Sequence, residues 1–457
     1  MPATPQRELT LSQTTALIIG TVIGSGVFLS LPIVARIAGS PGMNILIWLL
    51  GGVVWIPQIL VLAELSTAYP TQGATYYYLQ KAGSPFLAFL YTWTAFLTSD
   101  TPTLTIVALA AITALKVFSP LFTDPLITRV LAALLIAGLA LLHVRSVRTG
   151  GNVQILLTLA KLTPLVSIVI LGMLSLDQGD LRFEASGSSV QEGGLLAVIN
   201  AGIAATVWSY AGFTNILYMG GEVRNPHRTL PVALIGSLLF VMVAYVLIAA
   251  GTHGLVPFAD LTAVQDTFVN PFLFVEGLAS SAGTLFAIAV FVNMIGVLSA
   301  SIMVQPRLEY AIARDGLFFE IFGRLHPKYL TPHYSILIQA GLAVVLFLLG
   351  NLENMLGYFT ISYLLQNALV YGTIFFLRKQ EGYAPTYKAP FWRVMGVLAI
   401  AAQLWIGGWT FWAYPAGGIL ACLGLIASGF PVYRYFYTKR GGGSAGTGPA
   451  SGEASRT

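Results

Sequence analysis

Apolar runs of roughly twenty residues, the length that crosses a bilayer, recur along the chain between short stretches of Gly, Pro, Ser and charge. Turn signals and charges divide the pattern into twelve predicted spanning helices: 13–36, 44–67, 85–115, 126–143, 152–175, 194–219, 229–252, 281–305, 334–350, 354–377, 392–412 and 415–436. A membrane β-barrel needs short alternating strands, which these runs are not. The pattern therefore predicts an all-α membrane protein. Residues 1–12 read as a polar N-terminal segment and 176–193 as a loop between the fifth and sixth spans. Residues 252–280 are too many for a bare turn and predict a short surface helix. The Gly/Ser-rich tail 441–457 predicts disorder.

Composition removes whole classes of function. Hydrophobic residues make up 56% of the chain and charged residues 9%, whereas a soluble domain carries about a quarter charged residues. A soluble enzyme is excluded. The formal charge of +5 is modest and forms no basic run suited to nucleic acid. With the N-terminus in the cytoplasm, 18 of the 23 Lys and Arg fall on the inner side. Arg36, Lys116, Arg129 and Arg182 fall outside, and Lys161 lies within the membrane. This positive-inside bias predicts a multi-pass protein of the plasma or inner membrane with both termini cytoplasmic. The first apolar run is too long for the core of a cleavable signal. Cys422, the single cysteine, excludes an internal disulfide and a cysteine-based metal site.

Two spans carry breakers near mid-depth. The first reads IIGTVIGSGVF over 18–28, where Gly24 and Gly26 permit unwound backbone and Ser25 adds a hydroxyl. Unwinding would expose N–H groups at the start of a second half-helix, whose positive end suits a carboxylate. The same triplet also suits a seam where two helices pack closely. The sixth span reads TVWSYAGFTN over 206–215, again interrupted by small and polar residues. Broken helices at corresponding positions of two halves are the signature of an inverted-repeat secondary transporter with a midplane site.

These residues resemble the amino acid–polyamine–organocation superfamily, in particular its L-type amino acid transporter branch. The likeness is carried by GTVIGSGVFLSLP (20–32), SYAGFTNILYMGGEVRNPHRTLP (209–231) and two further stretches, 63–93 and 299–335. It implies a five-plus-five inverted repeat, 13–175 and 194–377, with helices one and six broken and two C-terminal helices in 378–440. It further implies alternating access and an L-amino acid held by the unwound segments, with no cofactor. Ser25 and Gly26 would donate to the carboxylate, within an unwound stretch that includes Ile23 and Gly24. Carbonyls around Ile19 and Gly20, and around Trp208, Ser209, Tyr210, Ala211 and Gly212, would accept from the ammonium. Tyr210 and Phe213 would wall or gate the side-chain pocket, or pack as ordinary aromatics. Gly212 and Ala211 leave room for small or medium neutral side chains. Members that bind a heavy subunit link to it through a cysteine after helix three. Residues 116–125 have none, so a monomer without a disulfide-linked partner is expected.

Two charges, Lys161 and Asp100, sit deep inside predicted spans. Lys161 lies about two turns into the fifth span and faces a polar cavity or snorkels to the headgroups. In the family, a lysine here resembles a replacement for the sodium ion of sodium-coupled relatives. It would link helix one to helix eight through Ser299 or Ser301, favouring exchange or proton-linked transport. Asp100 is a candidate proton carrier, a partner for a substrate ammonium or for Lys161, or a carboxylate held by nearby Thr and Ser. Pro102 would bend that helix. Glu64 and Glu222 read as ion-paired residues, and the resemblance gives Glu222 an inner-gate role with Arg307 or Arg314. Tyr358 and Tyr363 are candidate gate residues, and Asn293 a helix–helix contact. The histidines, read as lying in loops, show no metal spacing.

The reading that follows is a sodium-independent secondary transporter of amino acids, an exchanger or proton-linked. The alternative is a proton-coupled symporter of cationic amino acids or polyamines. A membrane-embedded enzyme is more remote, because the acids are scattered. A channel filter and a phosphate-binding loop are both absent from the sequence.

Overall fold

A computed structural model describes residues 5–440 apart from 25, 177–182, 184–187, 265–268, 350–351 and 414–415. Helices dominate: α1 Leu11–Val22, α2 Gly26–Ala38, α3 Pro41–Ala68, α4 Ala74–Lys81, α5 Pro85–Thr94 and α6 Thr101–Ala114. They continue with α7 Pro125–Arg145, α8 Val147–Ser175, α9 Ser188–Tyr210, α10 Pro226–Leu255, α11 Phe258–Ala263 and α12 Ala282–Val304. The last are α13 Pro306–Arg314, α14 His333–Leu349, α15 Leu352–Gly372, α16 Ile374–Leu377, α17 Trp392–Ala413 and α18 Ala416–Lys439. Among the described residues only two isolated β-bridges occur, Leu9 with Val223 and Gln72 with Met219.

Local chemistry explains many helix starts. Ser40-Pro41, Ser84-Pro85 and Asp124-Pro125 each place a capping oxygen before a proline at the first helical position, where the missing N–H is no loss. At α1, Thr10 and Gln13 form a reciprocal capping box. Residues 252–280, where a surface helix was expected, contain α11 and a short 3₁₀ turn, Pro271–Phe274. The tail 441–457 lies outside the described residues.

Among the described residues six helical stretches are long and apolar enough to cross a membrane: 41–68, 85–117, 125–145, 147–175, 226–255 and 282–314. The surface is inverted relative to a soluble protein. Leu126, Leu156, Leu174 and Leu196 are more than 65% exposed, while Gln154, Lys161, Glu309 and Asn293 are buried. Leucines turned outward and polar groups turned inward fit a hydrocarbon solvent. In the interior, α10 packs on α3 and α8, α9 on α2 and α3, and α1 lies among α8, α10 and α12. A small-residue seam does exist, at the α8–α10 crossing. A Cβ on Gly172 would lie 1.9 Å from the carbonyl oxygen of Gly251, so only glycine permits that approach.

Candidate functional site

The first span is two helices. α1 ends at Val22, and Ile23 turns to extended backbone with φ −76° and ψ 97°. The chain resumes helix at Gly26. The first N–H groups of α2, from Gly26 onward, thus have no carbonyl of their own helix to meet, and its positive end opens at the break. The sixth span is also interrupted. α9 ends at Tyr210, Ala211 and Gly212 form a turn, and a 3₁₀ segment follows over Phe213–Tyr218. Gly212 has φ 119°, a conformation that favours glycine.

The two interruptions touch. A Cβ on Gly212 would lie 3.0 Å from the Thr21 carbonyl oxygen, and one on Gly26 would lie 3.4 Å from Ser209 Cα and Oγ. Thr21 Oγ1 is 3.2 Å from the Gly212 carbonyl oxygen. Tyr245 on α10 bridges both breaks, donating to Ser209 O at 2.7 Å with Val22 O at 3.5 Å. The Gly212 N–H donates to Tyr363 Oη of α15 at 2.9 Å. Ser209 Oγ donates to Ser30 Oγ of α2 at 3.3 Å. The positive start of α2 and the negative end of α9 therefore face each other across Gly26 and Ser209. Tyr245→Phe, which removes the hydroxyl that bridges the two breaks, is expected to lose about 1 kcal/mol of stability, read by thermal melting.

Lys161 is fully buried, and its ammonium donates to Gly20 O at 2.9 Å and Ile23 O at 2.5 Å. One turn earlier Thr158 Oγ1 donates to Ala16 O at 3.1 Å, so one face of α8 satisfies the carbonyls that end α1. The expected link to helix eight takes another form. Ser299 Oγ sits 3.0 Å from His143 Nε2, and Lys161 packs beside Gly296 of α12, where a Cβ would lie 3.3 Å from its Cδ. The lysine's three donors follow the nearest orphan carbonyls, and those belong to helix one. Gly20 O thus accepts from Lys161, and Ile19 O accepts from the Ile23 N–H at 3.0 Å.

Tyr210 and Phe213 are packing residues in this structure. Tyr210 Oη donates to Trp48 O at 2.9 Å, and its ring lies 4.9 Å from that of Tyr245. Phe213 packs on Trp55 of α3 at 5.9 Å. Gly24 faces Val297 of α12, with 3.5 Å from an added Cβ to its Cγ2. Ser25 and the side chains of Trp208 and Tyr358 lie outside the described residues.

Asp100 closes a π-helical turn, Ala95–Asp100, just before Pro102. The proline's missing N–H is absorbed by this wider turn rather than by a simple bend. Thr101 Oγ1 donates back to Phe96 O at 2.5 Å. Thr98 Oγ1 donates to Ser362 Oγ at 2.5 Å and Ser99 Oγ lies 3.3 Å from Gln366 Oε1; Ser99 also hydrogen-bonds the Asp100 carboxyl, whose Oδ2 has no hydrogen-bond partner. Glu222 meets Arg307 through two hydrogen bonds, 3.0 and 3.2 Å, and accepts from Gln72 at 2.8 Å. Glu64 takes two from Arg378, at 2.6 and 2.5 Å, which hold that guanidinium above its ordinary value. Both pairs sit at the bundle end that carries the N-terminal segment, where Leu9 N–H donates to Glu222 O at 2.9 Å. His143 was expected in a loop. It is buried on α7, and His227, His253 and His333 also lie in helices. Among the described residues no three His, Cys, Asp or Glu gather as metal ligands.

The sequence pattern missed Thr21, Tyr245 and Glu309. Tyr245 stands in an unbroken apolar run, and Glu309 follows a predicted span, where a charge reads as solvated.

A sequence profile described as amino acid permease matches residues 9–432. The chain is 28% identical to the serine/threonine exchanger SteT of Bacillus subtilis, covering 94% of this chain and 96% of that protein. It is 26% identical to the human b(0,+)-type amino acid transporter 1, over 94% of this chain and 88% of the relative. Against the human cystine/glutamate transporter the identity is 26%, over 84% and 75%.

Proposed function

This chain belongs to the amino acid permease family, and we propose that it is a sodium-independent secondary transporter that moves small neutral L-amino acids by alternating access. One observation carries the reading: the start of α2 at Gly26 opposes the end of α9 at Ser209. A zwitterion matches that pair of helix ends. Its carboxylate takes the unpaired N–H groups of α2, and its ammonium takes the carbonyls that end α9. Lys161 places its side-chain nitrogen against the end of α1, where a bound cation would otherwise be needed, which supports sodium independence.

In this reading twelve helices cross the membrane as two inverted sets of five plus two. Both termini are cytoplasmic, and the chain works as a monomer without a disulfide-linked subunit. Glu222, Arg307, Gln72 and Leu9 then form the inner gate, and Tyr363 holds the broken helix six. The protein is a carrier, not an enzyme. Counterflow in proteoliposomes tests the proposal: internal L-serine or L-threonine should drive uptake of the labelled amino acid equally in sodium and in choline buffer. No counterflow with any of a panel of amino acids would overturn it.

A further inference from the structure

We propose that Asp100 and Glu309 form a proton-binding pair and that Glu309 is the carboxyl that delivers the proton to the inner side. The inference rests on the transport reading above and adds a co-substrate to it. Glu309 is fully buried, and neither of its carboxylate oxygens has a hydrogen-bond partner. Asp100 is 5% exposed with Oδ2 unpartnered, and its charge acts directly on Glu309.

Between the breaks and the gate lies a set of tyrosine hydroxyls. Tyr91 of α5 and Tyr218 of the 3₁₀ segment are hydrogen-bonded at 2.9 Å. The charge of Asp100 reaches Tyr91, Tyr218 and Tyr363, and that of Glu309 reaches Tyr218. Tyr78 of α4, buried beside Tyr91, has no partner for its hydroxyl.

Among the described residues no cation pairs with this cluster. Arg307, two residues before Glu309, is committed to Glu222, and Lys161 to Gly20 and Ile23. Tyr76 on α4 faces away, hydrogen-bonded to Asp315 at 2.9 Å. Two dry carboxylates without a counter-ion repel strongly and are poorly solvated, so the pair holds at least one proton as a unit.

The position of Glu309 supplies the coupling. It shares a helical turn with Arg307, so separation of the Glu222–Arg307 gate brings water to its carboxyl. The O–H bond then breaks, the proton passes to cytoplasmic water, and a carboxylate remains. Asp100, near Tyr363 and the helix-six break, takes a replacement proton from water admitted from outside. In this proposal the hydrogen-bonded hydroxyls of Tyr91 and Tyr218, joined to each carboxyl by entering water, carry the proton between them.

The test uses the full chain in proteoliposomes carrying a pH-sensitive dye, with labelled L-serine. In the wild type an acid exterior should raise accumulation about tenfold per pH unit for one proton per amino acid, with dye-detected proton influx. Glu309→Gln should keep counterflow within about twofold of wild type while losing both the gradient response and the dye signal. Glu309→Asp, which keeps the carboxyl, should retain both. A full gradient response in Glu309→Gln, or wild-type accumulation that ignores the gradient, would overturn the proton site. Absence of wild-type counterflow would instead overturn the transport reading.

Discussion

Replacing Gly26 with valine is expected to abolish amino acid uptake while leaving a folded, membrane-inserted protein. The Cβ alone would stand 3.4 Å from Ser209 Cα and Oγ and 3.6 Å from Ser209 N. Two further methyls must then occupy the space through which a carboxylate approaches the start of α2. Helix six cannot easily retreat, because Tyr245 and Tyr363 hold its broken end at 2.7 and 2.9 Å. Losing two charge-assisted hydrogen bonds removes about 3–6 kcal/mol, a fall in counterflow of roughly 100-fold or more. Gly26→Ala, with only the tolerable Cβ contact, should lie between. Wild-type uptake by Gly26→Val protein with an unchanged melting temperature would remove the carboxylate site from this place.

Lys161→Ala should impair both stability and transport, for separable reasons. It deletes the buried stem beyond Cβ beside Gly296 and leaves Gly20 O and Ile23 O without their donor. Cavity formation costs about 2–5 kcal/mol, and each unsatisfied carbonyl about 1–3 kcal/mol more. Lys161→Met restores most of the volume but not the charge. We expect it to recover much of the melting temperature while transport stays down about 10-fold or more, because the end of α1 is no longer fixed. The balance between inward- and outward-open forms should shift as well, measurable by cysteine accessibility at the two bundle ends. Exchange kinetics unchanged in Lys161→Met would reduce the lysine to a packing residue.

Much of the architecture was legible because a bilayer imposes a one-dimensional rule: each crossing needs its own apolar run, and breakers inside such a run stand out. The run around Gly24 and Gly26 and the run over 206–215 were visible for that reason. Partner choice was not legible in the same way. The family resemblance implied Ser299 or Ser301 as an acceptor for Lys161, yet the Ser299 hydroxyl meets His143. Tyr210 looked like a gate because it borders a break, yet its side chain points to Trp48. A helical period assigns a residue to a face, but it does not say which neighbouring helix that face meets.

The sequence by itself determined that the chain is helical, lies in a membrane and interrupts two of its apolar runs, since composition and breaker residues act locally and need no partner. Tertiary structure alone decided that those interruptions touch, that Tyr245 bridges them, and that Arg307 is taken by Glu222 while Glu309 is left unpaired. These outcomes depend on how distant helices cross. In a dry interior, whether a polar group is satisfied is set by what lies within about 3 Å of it, whatever its neighbours along the chain.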